Sequence, residues 1–308
     1  MNRGLVLRVE KENSGLKYRI ETVRDKKHIV ITGMTGNAEC LLIPDFINND
    51  GDEIPVRIIG KKAFMSCKIR EVRLGKNIAV VEDWAFAYCE SLAVVSCDEK
   101  DVCVTFGKGV FDGCKRLNRL CIGAYEEPLP YLMAMTVRLL KTDEFIKADT
   151  ENIGLWYEKL DEKITGIINA PDDEGYYNNM LGGEEDISKT REGYAVEQIL
   201  FKLELAVERL TFDEGIDACT RQRYVDYICL HMEGCPACLT WRLIKEKYAD
   251  SLRHFRLLTD IGAIKAQNID ALLDDLGEGH GEIKAYLIKY KQENGLSFIK
   301  LTELYHLC

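Results

Sequence analysis

Between Ile58 and Ile122 the apolar residues recur as a block, not at a single helical or strand period. Three segments superimpose: IIGKKAFMSCKIREVRL from Ile58, VVEDWAFAYCESLAVVSC from Val80 and TFGKGVFDGCKRLNRLCI from Thr105. Ile59, Val81 and Phe106 each stand five residues before an aromatic, Phe64, Phe86 or Phe111. Three residues after each aromatic comes Cys67, Cys89 or Cys114. Then follow Ile69, Leu92 and Leu117, and finally Val72, Val95 and Leu120. Such a unit cannot bury its own apolar side, but stacked copies form ladders of like side chains in a continuous core. The alternations Val72, Leu74 and Leu120, Ile122 predict short strands lying side by side in a parallel sheet.

Upstream, LKYRIETV, KHIVITG and AECLLIP read as strands, with turns at Arg24–Lys26 and Met34–Gly36. Their expected role is to cover the open end of the solenoid, because a bare sheet edge invites aggregation. After Gly123 the period shifts to 3.6. Helices are predicted over about 153–168, 188–210, 220–232, 236–248, 250–258, 266–276 and 281–292, separated by short breakers. Residues 172–187 read as a mobile loop.

The pattern Ile-Gly-x-x-Ala-Phe-x-x-Cys-x-x-Leu-x-x-Val-x-Leu over residues 58–122 resembles the BspA-type leucine-rich repeat family. Leu42-Ile43-Pro44 followed by Ile54–Gly60 is similar to that family's capping repeat, in which a hairpin leads into the first Ala-Phe turn. One departure is Glu82, which stands where the other copies have Gly60 and Gly107. A glycine there implies a turn that other residues dislike. Gly279-His280-Gly281-Glu282-Ile283, between two short amphipathic helices, resembles the turn of an ankyrin repeat. As a whole the chain resembles bacterial proteins that join BspA-type repeats to a helical, ankyrin-like tail. That resemblance implies binding through repeat surfaces and no known chemistry.

Composition narrows the class. The chain has 308 residues, 46% hydrophobic, with 6 Pro, which suits a folded protein with full cores. No apolar run is long enough for a membrane-spanning helix, and the first residues lack a signal-peptide core, so a cytoplasmic location is expected. Residues 1–124 carry 20 Lys+Arg against 17 Asp+Glu; the remainder carry 21 against 34. The acidic balance speaks against nucleic-acid and anionic-membrane partners, which need a basic face. It makes a basic protein partner the natural match for the helical half. Twelve Cys, mostly inside apolar patterns, are expected to be reduced and buried. Cys67, Cys89 and Cys114 share a ladder and could approach disulfide range, but the preferred reading is a thiol filling a buried corner.

Nucleotide-binding, nucleophile-elbow, zincin and EF-hand motifs are all missing. Trp84, Trp156 and Trp241 read as packing residues, His280 as a capping or hydrogen-bonding residue. The carboxylate runs Asp172, Asp173, Glu174 and Asp274, Asp275, Glu278, Glu282 read as solvated. One constellation carries potential chemistry: Cys229, His231, Cys235 and Cys238. The Cys235–Cys238 gap is that of a zinc knuckle or redox pair. Against zinc, Cys229 and His231 lie two apart on a helix and face different ways. Pro236 reads as a helix start, which puts Cys235 near the N-cap, where a thiol's pKa falls.

The expectation is therefore an α+β protein: a capped leucine-rich-repeat β-solenoid over 1–124, then an all-α stack of helical hairpins over 125–308. Its expected function is non-enzymatic protein–protein interaction, with no cofactor, catalytic residue or metal site. The alternative is a zinc-binding or thiol-redox protein centred on Cys229, His231, Cys235 and Cys238. A third reading, a surface adhesin, is opposed by the lack of a leader.

Overall fold

A computed structural model describes residues 11–97, 104–123, 125–149, 151–174 and 190–305, with side chains up to residue 294. Most of the predicted loop 172–187 lies outside the described residues. The fold is α+β, and the chain forms two compact units, Met1–Trp156 and Tyr157–Cys308.

The first unit is a β-solenoid. Strands β1 (Lys11–Asn13), β2 (Leu16–Val23), β3 (Lys26–Met34), β6 (Asp52–Ile59), β8 (Val80–Val81) and β10 (Thr105–Phe106) lie in that order in one sheet, with β5 (Phe46–Asn49) paired to β6. The second sheet runs β11 (Arg119–Cys121), β9 (Val94–Cys97), β7 (Glu71–Leu74) and β4 (Cys40–Leu42). Each turn of the solenoid gives one strand to each sheet, and like strands pair in parallel. The predicted ladders are present. Leu41, Val72, Val95 and Leu120 are register partners in one sheet, and Ile31, Ile59, Val81 and Phe106 in the other. Between the sheets Phe64 stacks on Phe86 at 5.2 Å, and Phe86 on Phe111 at 5.9 Å, with rings 12° and 11° from parallel.

The upstream strands do more than cover an edge. β3 pairs in parallel with β6, and β4 with β7, so this segment is itself a solenoid turn, lacking the Phe and Cys anchors. The antiparallel β1–β2 pair then closes the sheet edge. The first unit also runs past the predicted boundary after residue 124. Helix α1 (Leu129–Met135) packs against β11 and buries Leu132 and Met133. Asp143 then accepts a hydrogen bond from the Gly109 amide at 2.7 Å. In the earlier turns the matching amides, Lys62 and Trp84, bond to carbonyls of the following repeat. A carboxylate thus replaces the missing next rung.

The arcs between the sheets carry a feature the sequence pattern did not show. Lys62, Trp84 and Gly109, each two residues before the ladder Phe, are left-handed, with φ of 59°, 55° and 60°. So are Ser66, Tyr88 and Gly113, two residues after it, at 61°, 59° and 70°. Gly60 and Gly107 do not have positive φ, so the expected turn preference is not their reason. A Cβ on Gly60 would lie 2.9 Å from the Ile31 carbonyl oxygen, and one on Gly107 2.5 Å from the Asp83 amide nitrogen. Close approach of neighbouring rungs selects glycine there. Trp84 is not a core residue: it is half-exposed beneath the ammonium groups of Lys61 and Lys62, 4.9 and 5.5 Å from its ring centre.

The second unit is helical: α2 (Ile153–Asn169, whose first turn belongs to the first unit), α3 (Arg191–Thr211), α4 (Ala218–Leu230), α5 (Leu239–Lys247), α6 (Leu252–Asp260), α7 (Ile269–Leu276) and α8 (Gly281–Tyr305). Helix α3 is central, in contact with α4, α5 and α6, and every residue from Lys202 to Leu210 is buried. Its charges are compensated: the Arg209 fork donates to both Asp161 oxygens at 2.8 and 2.9 Å, and Lys202 pairs with Asp172 at 2.6 Å. Helix α8 runs past the predicted end near Gln292, because one interior glycine, Gly295, costs only about 1 kcal/mol.

Candidate functional site

Two places carry the arrangements that matter for function, one in each unit. On the repeat unit, strands β2, β3, β6 and the residues leading into β8 enclose a groove of about 670 Å³. Its lining includes the apolar Val23, Ile58, Ala79 and Val80, and Lys26, Lys27 and Arg57 bring positive charge to it. Val23 is 57% exposed, an apolar side chain held in water by its position at the hairpin end. Glu21, which also lines the groove, is engaged by Arg19 at 2.6 Å. The groove therefore offers apolar surface with a cationic rim.

In the helical unit, the four singled-out residues do not converge. His231 caps the end of α4, its Nδ1 2.9 Å from the Tyr227 carbonyl and its ring against Tyr227. The Cys229 thiol lies 3.8 Å from the Ile261 carbonyl oxygen, and burial pushes its pKa up. Among the described residues no group of three or more His, Cys, Asp or Glu could hold a metal ion, so the tetrahedral set is not assembled.

Cys235 and Cys238 do meet. The expected N-cap is displaced, however: Cys238, not Cys235, caps α5, with extended backbone (ψ 160°) and its sulfur accepting from the Trp241 amide at 3.4 Å. The Cys238 thiol donates to Met232 Sδ at 3.6 Å. Interaction with the Cys235 thiol, followed by the amides at the start of α5, holds the Cys238 pKa down to about 7 despite burial. The Cys235 thiol, interacting with Cys238 and partly desolvated, is pushed up. Cys238 is 7% exposed, whereas half-buried Cys235 lines a cleft of about 640 Å³ together with Cys229, Met232, Gly262 and Lys265.

The other sequence candidates are structural. Asp275 accepts from Trp241 Nε1 and Lys245 Nζ, both at 2.7 Å. His280 sits in a left-handed turn with Nδ1 2.6 Å from Asp250. In the solenoid, the Cys89 thiol donates to the Phe64 carbonyl at 3.0 Å and the Cys114 thiol to the Phe86 carbonyl at 3.2 Å. Those thiols fill the buried corners, and the three ladder cysteines are unbridged.

Residues 52–127 match the family described as BspA type Leucine rich repeat region (6 copies). Among solved structures, the chain is similar to a leucine rich cell surface protein from Faecalibacterium prausnitzii A2-165. The identity is 24% and the TM-score 0.34, over 37% of this chain and 31% of that one. It is also similar to a leucine-rich repeat protein from Bacteroides capillosus (23% identity, TM-score 0.33, 40% of this chain and 91% of that one). A third is the T. pallidum Leucine Rich Repeat protein (23%, 0.30, 37% and 49%). The chain thus spans less than half of the first and third of these proteins. No curated protein matches it significantly.

Proposed function

With residues 52–127 a BspA-type leucine-rich-repeat region, we propose that the protein is a non-enzymatic scaffold that binds a protein partner through its repeat surface. The observation that carries this reading is the apolar groove with a cationic rim on the repeat unit. Its chemistry suits an extended segment that places apolar side chains over Ile58 and Val80 and a carboxylate against Lys26 or Arg57. The acid excess of residues 125–308 is the reason to propose a basic partner surface for the helical half. Stacking of α7 and α8 through the Gly277–Gly281 turn supports an ankyrin-like reading of that half. Neither nucleic acid nor membrane is proposed as a partner, and among the described residues no helix is long and apolar enough to cross a membrane.

The test is a peptide-display selection against the full chain, repeated with Ile58→Glu/Val80→Glu. Enriched peptides should be apolar with acidic flanks. Two carboxylates in the groove should weaken them at least tenfold, which is about 1.4 kcal/mol. Absence of enrichment, or enrichment insensitive to both substitutions, would overturn the groove as the binding face.

A further inference from the structure

We infer that the outer edge of β4, at the N-terminal end of the solenoid, is a self-association surface that takes the β4 strand of a second copy of this chain in antiparallel pairing. This goes beyond the scaffold reading and shares no residue with the groove. The second sheet runs β11, β9, β7, β4, so each of its end strands has one outer side. Helix α1 packs against β11. In the first sheet the β1–β2 pair closes the corresponding end. Among the described residues no strand pairs with the outer side of β4.

What that edge presents follows from the pairing on its other side. The Glu39 carbonyl accepts from the Arg70 and Glu71 amides, and the Ile43 amide donates to the Arg73 carbonyl. With β4 parallel to β7 and Leu41 opposite Val72, residues 39, 41 and 43 turn their backbone groups toward β7. The amide and carbonyl of Cys40 and of Leu42 therefore point to the outer side. Edge strands are normally blunted by a charge, a proline or a bulge, and Cys40-Leu41-Leu42 has none of these. Leu42 is 64% exposed and Phe46 44%. Beside the edge lies a cleft of about 500 Å³, with Leu16, Met34, Leu41, Pro44, Phe46 and Ile47 in its walls and no charged side chain lining it.

Symmetry selects a second copy as the occupant. A two-fold axis sets the groups near it against their own images, so like charges there repel and an uncharged patch suits its own copy. In a chain with 30% charged residues, the uncharged cleft meets that condition. The hydrogen-bonding pattern is self-complementary as well. An axis through Leu41 sets Cys40 opposite Leu42 of the second copy, and Leu42 opposite its Cys40. Each pair exchanges two amide-to-carbonyl bonds, which satisfies every outward backbone group of β4. The two Leu41 side chains, which already face inward, meet across the axis and close the two clefts on each other.

The experiment is sedimentation velocity on the full chain, with reductant, over a concentration series up to about 100 μM. The wild type should shift from one copy to two as concentration rises. Leu42→Pro removes an outward amide and leaves the β4–β7 pairing in place, so it should weaken dimerisation at least tenfold without changing the circular dichroism spectrum. Leu42→Lys, at an exposed side chain, should do the same by bringing like charges close to the axis, and it carries the test where the proline variant does not fold. Register is read separately. In Leu42→Cys the new thiol faces Cys40 of the second copy with Cα atoms about 5.5 Å apart, within disulfide range. Oxidation with diamide should then give a covalent dimer bridged between position 42 and Cys40, mapped by mass spectrometry. In the wild type the two Cys40 residues lie on the diagonal, about 7–8 Å apart, and should not bridge. A chain that stays monomeric throughout the series overturns the proposal. So does a dimer indifferent to both Leu42→Pro and Leu42→Lys, or one whose Leu42→Cys form gives no such bridge. A monomer that pairs only after deletion of residues 1–10 also overturns it, because the chain's own start then covers the edge.

Discussion

Removing the central ring of the aromatic ladder gives the sharpest test of the solenoid. Phe86 has no exposed surface and lies between two parallel rings, 5.2 Å from Phe64 and 5.9 Å from Phe111. Phe86→Ala deletes the buried ring and leaves a cavity, which costs about 3–5 kcal/mol. Two stacked contacts are lost together, each worth about 0.5–1.5 kcal/mol beyond burial, so the value belongs near the top of that range. The rigid rungs on both sides cannot collapse inward without breaking strand register, which again argues for the full cost. Hydrogen exchange read by peptide mass spectrometry localises the effect to β7, β8 and β9. At about 4 kcal/mol, protection there should fall by nearly three orders of magnitude. Phe106→Ala is the control: Phe106 is half-exposed and tilted 49° to Phe111, so it should cost about 1–2 kcal/mol. A Phe86→Ala chain whose protection falls less than tenfold, or no more than that of the control, would refute the ladder as the unit's core.

Other consequences can be measured alongside. Gly113→Ala forces a left-handed alanine (φ 70°) and puts a Cβ 2.6 Å from the Tyr88 ring, so it should destabilise by about 2 kcal/mol or more. Ser66→Gly, at φ 61° and exposed, should stabilise by up to about 1 kcal/mol; thermal midpoints moving in opposite directions check the pair. Burial pushes the Cys89 and Cys114 thiols up from 9.0 to about 12. The folded chain then keeps protons that the unfolded chain loses. Their contribution is complete below pH 9 and declines toward pH 12, at about 1.4 kcal/mol per pH unit for each thiol. Denaturant titrations between pH 8 and 10.5 should show this slope, halved in Cys89→Ala. Asp161→Asn leaves the Arg209 guanidinium buried without its carboxylate and should cost about 3–5 kcal/mol by the same titrations at neutral pH.

The ladders were legible in the sequence because stacking demands the same residue at the same place on successive rungs. Phe64, Phe86 and Phe111 advertise themselves, and so do the thiols three residues on. The turn built from β3 and β4 was not readable as a rung because it lacks both anchors and is held by aliphatic contacts and backbone pairing alone. Helix α1 was not predicted; it is short and opens on Pro128 and Pro130, which are accepted at a helix start where amides have no intrahelical partner. The spacing of Cys235 and Cys238 announced a pair. Which one caps the helix depends on where the backbone enters α5, and Pro236 pointed one turn too early. The groove left no signal, since its lining collects side chains from separate strands brought together only by the solenoid.

Glu82 and the two arc glycines of the third repeat show how one rung's sequence is set by the previous rung. At Trp84 and Tyr88 the chain accepts left-handed backbone without glycine, a cost of about 1–2 kcal/mol each. Their side chains then lie over the next rung: a Cβ at Gly109 would meet Trp84 Nε1 at 2.8 Å, and one at Gly113 the Tyr88 ring at 2.6 Å. Glycine in the third repeat thus serves both its own φ and the aromatic above it. Glu82, in the glycine position of its own rung, turns that departure to use by accepting from the Lys61 amide at 2.7 Å, while Asp83 accepts from the Lys108 amide at 2.9 Å. The departures from the repeat pattern are therefore contacts between rungs, so a consensus residue placed at Glu82, Gly109 or Gly113 alone would be judged by its neighbour before it could satisfy the pattern.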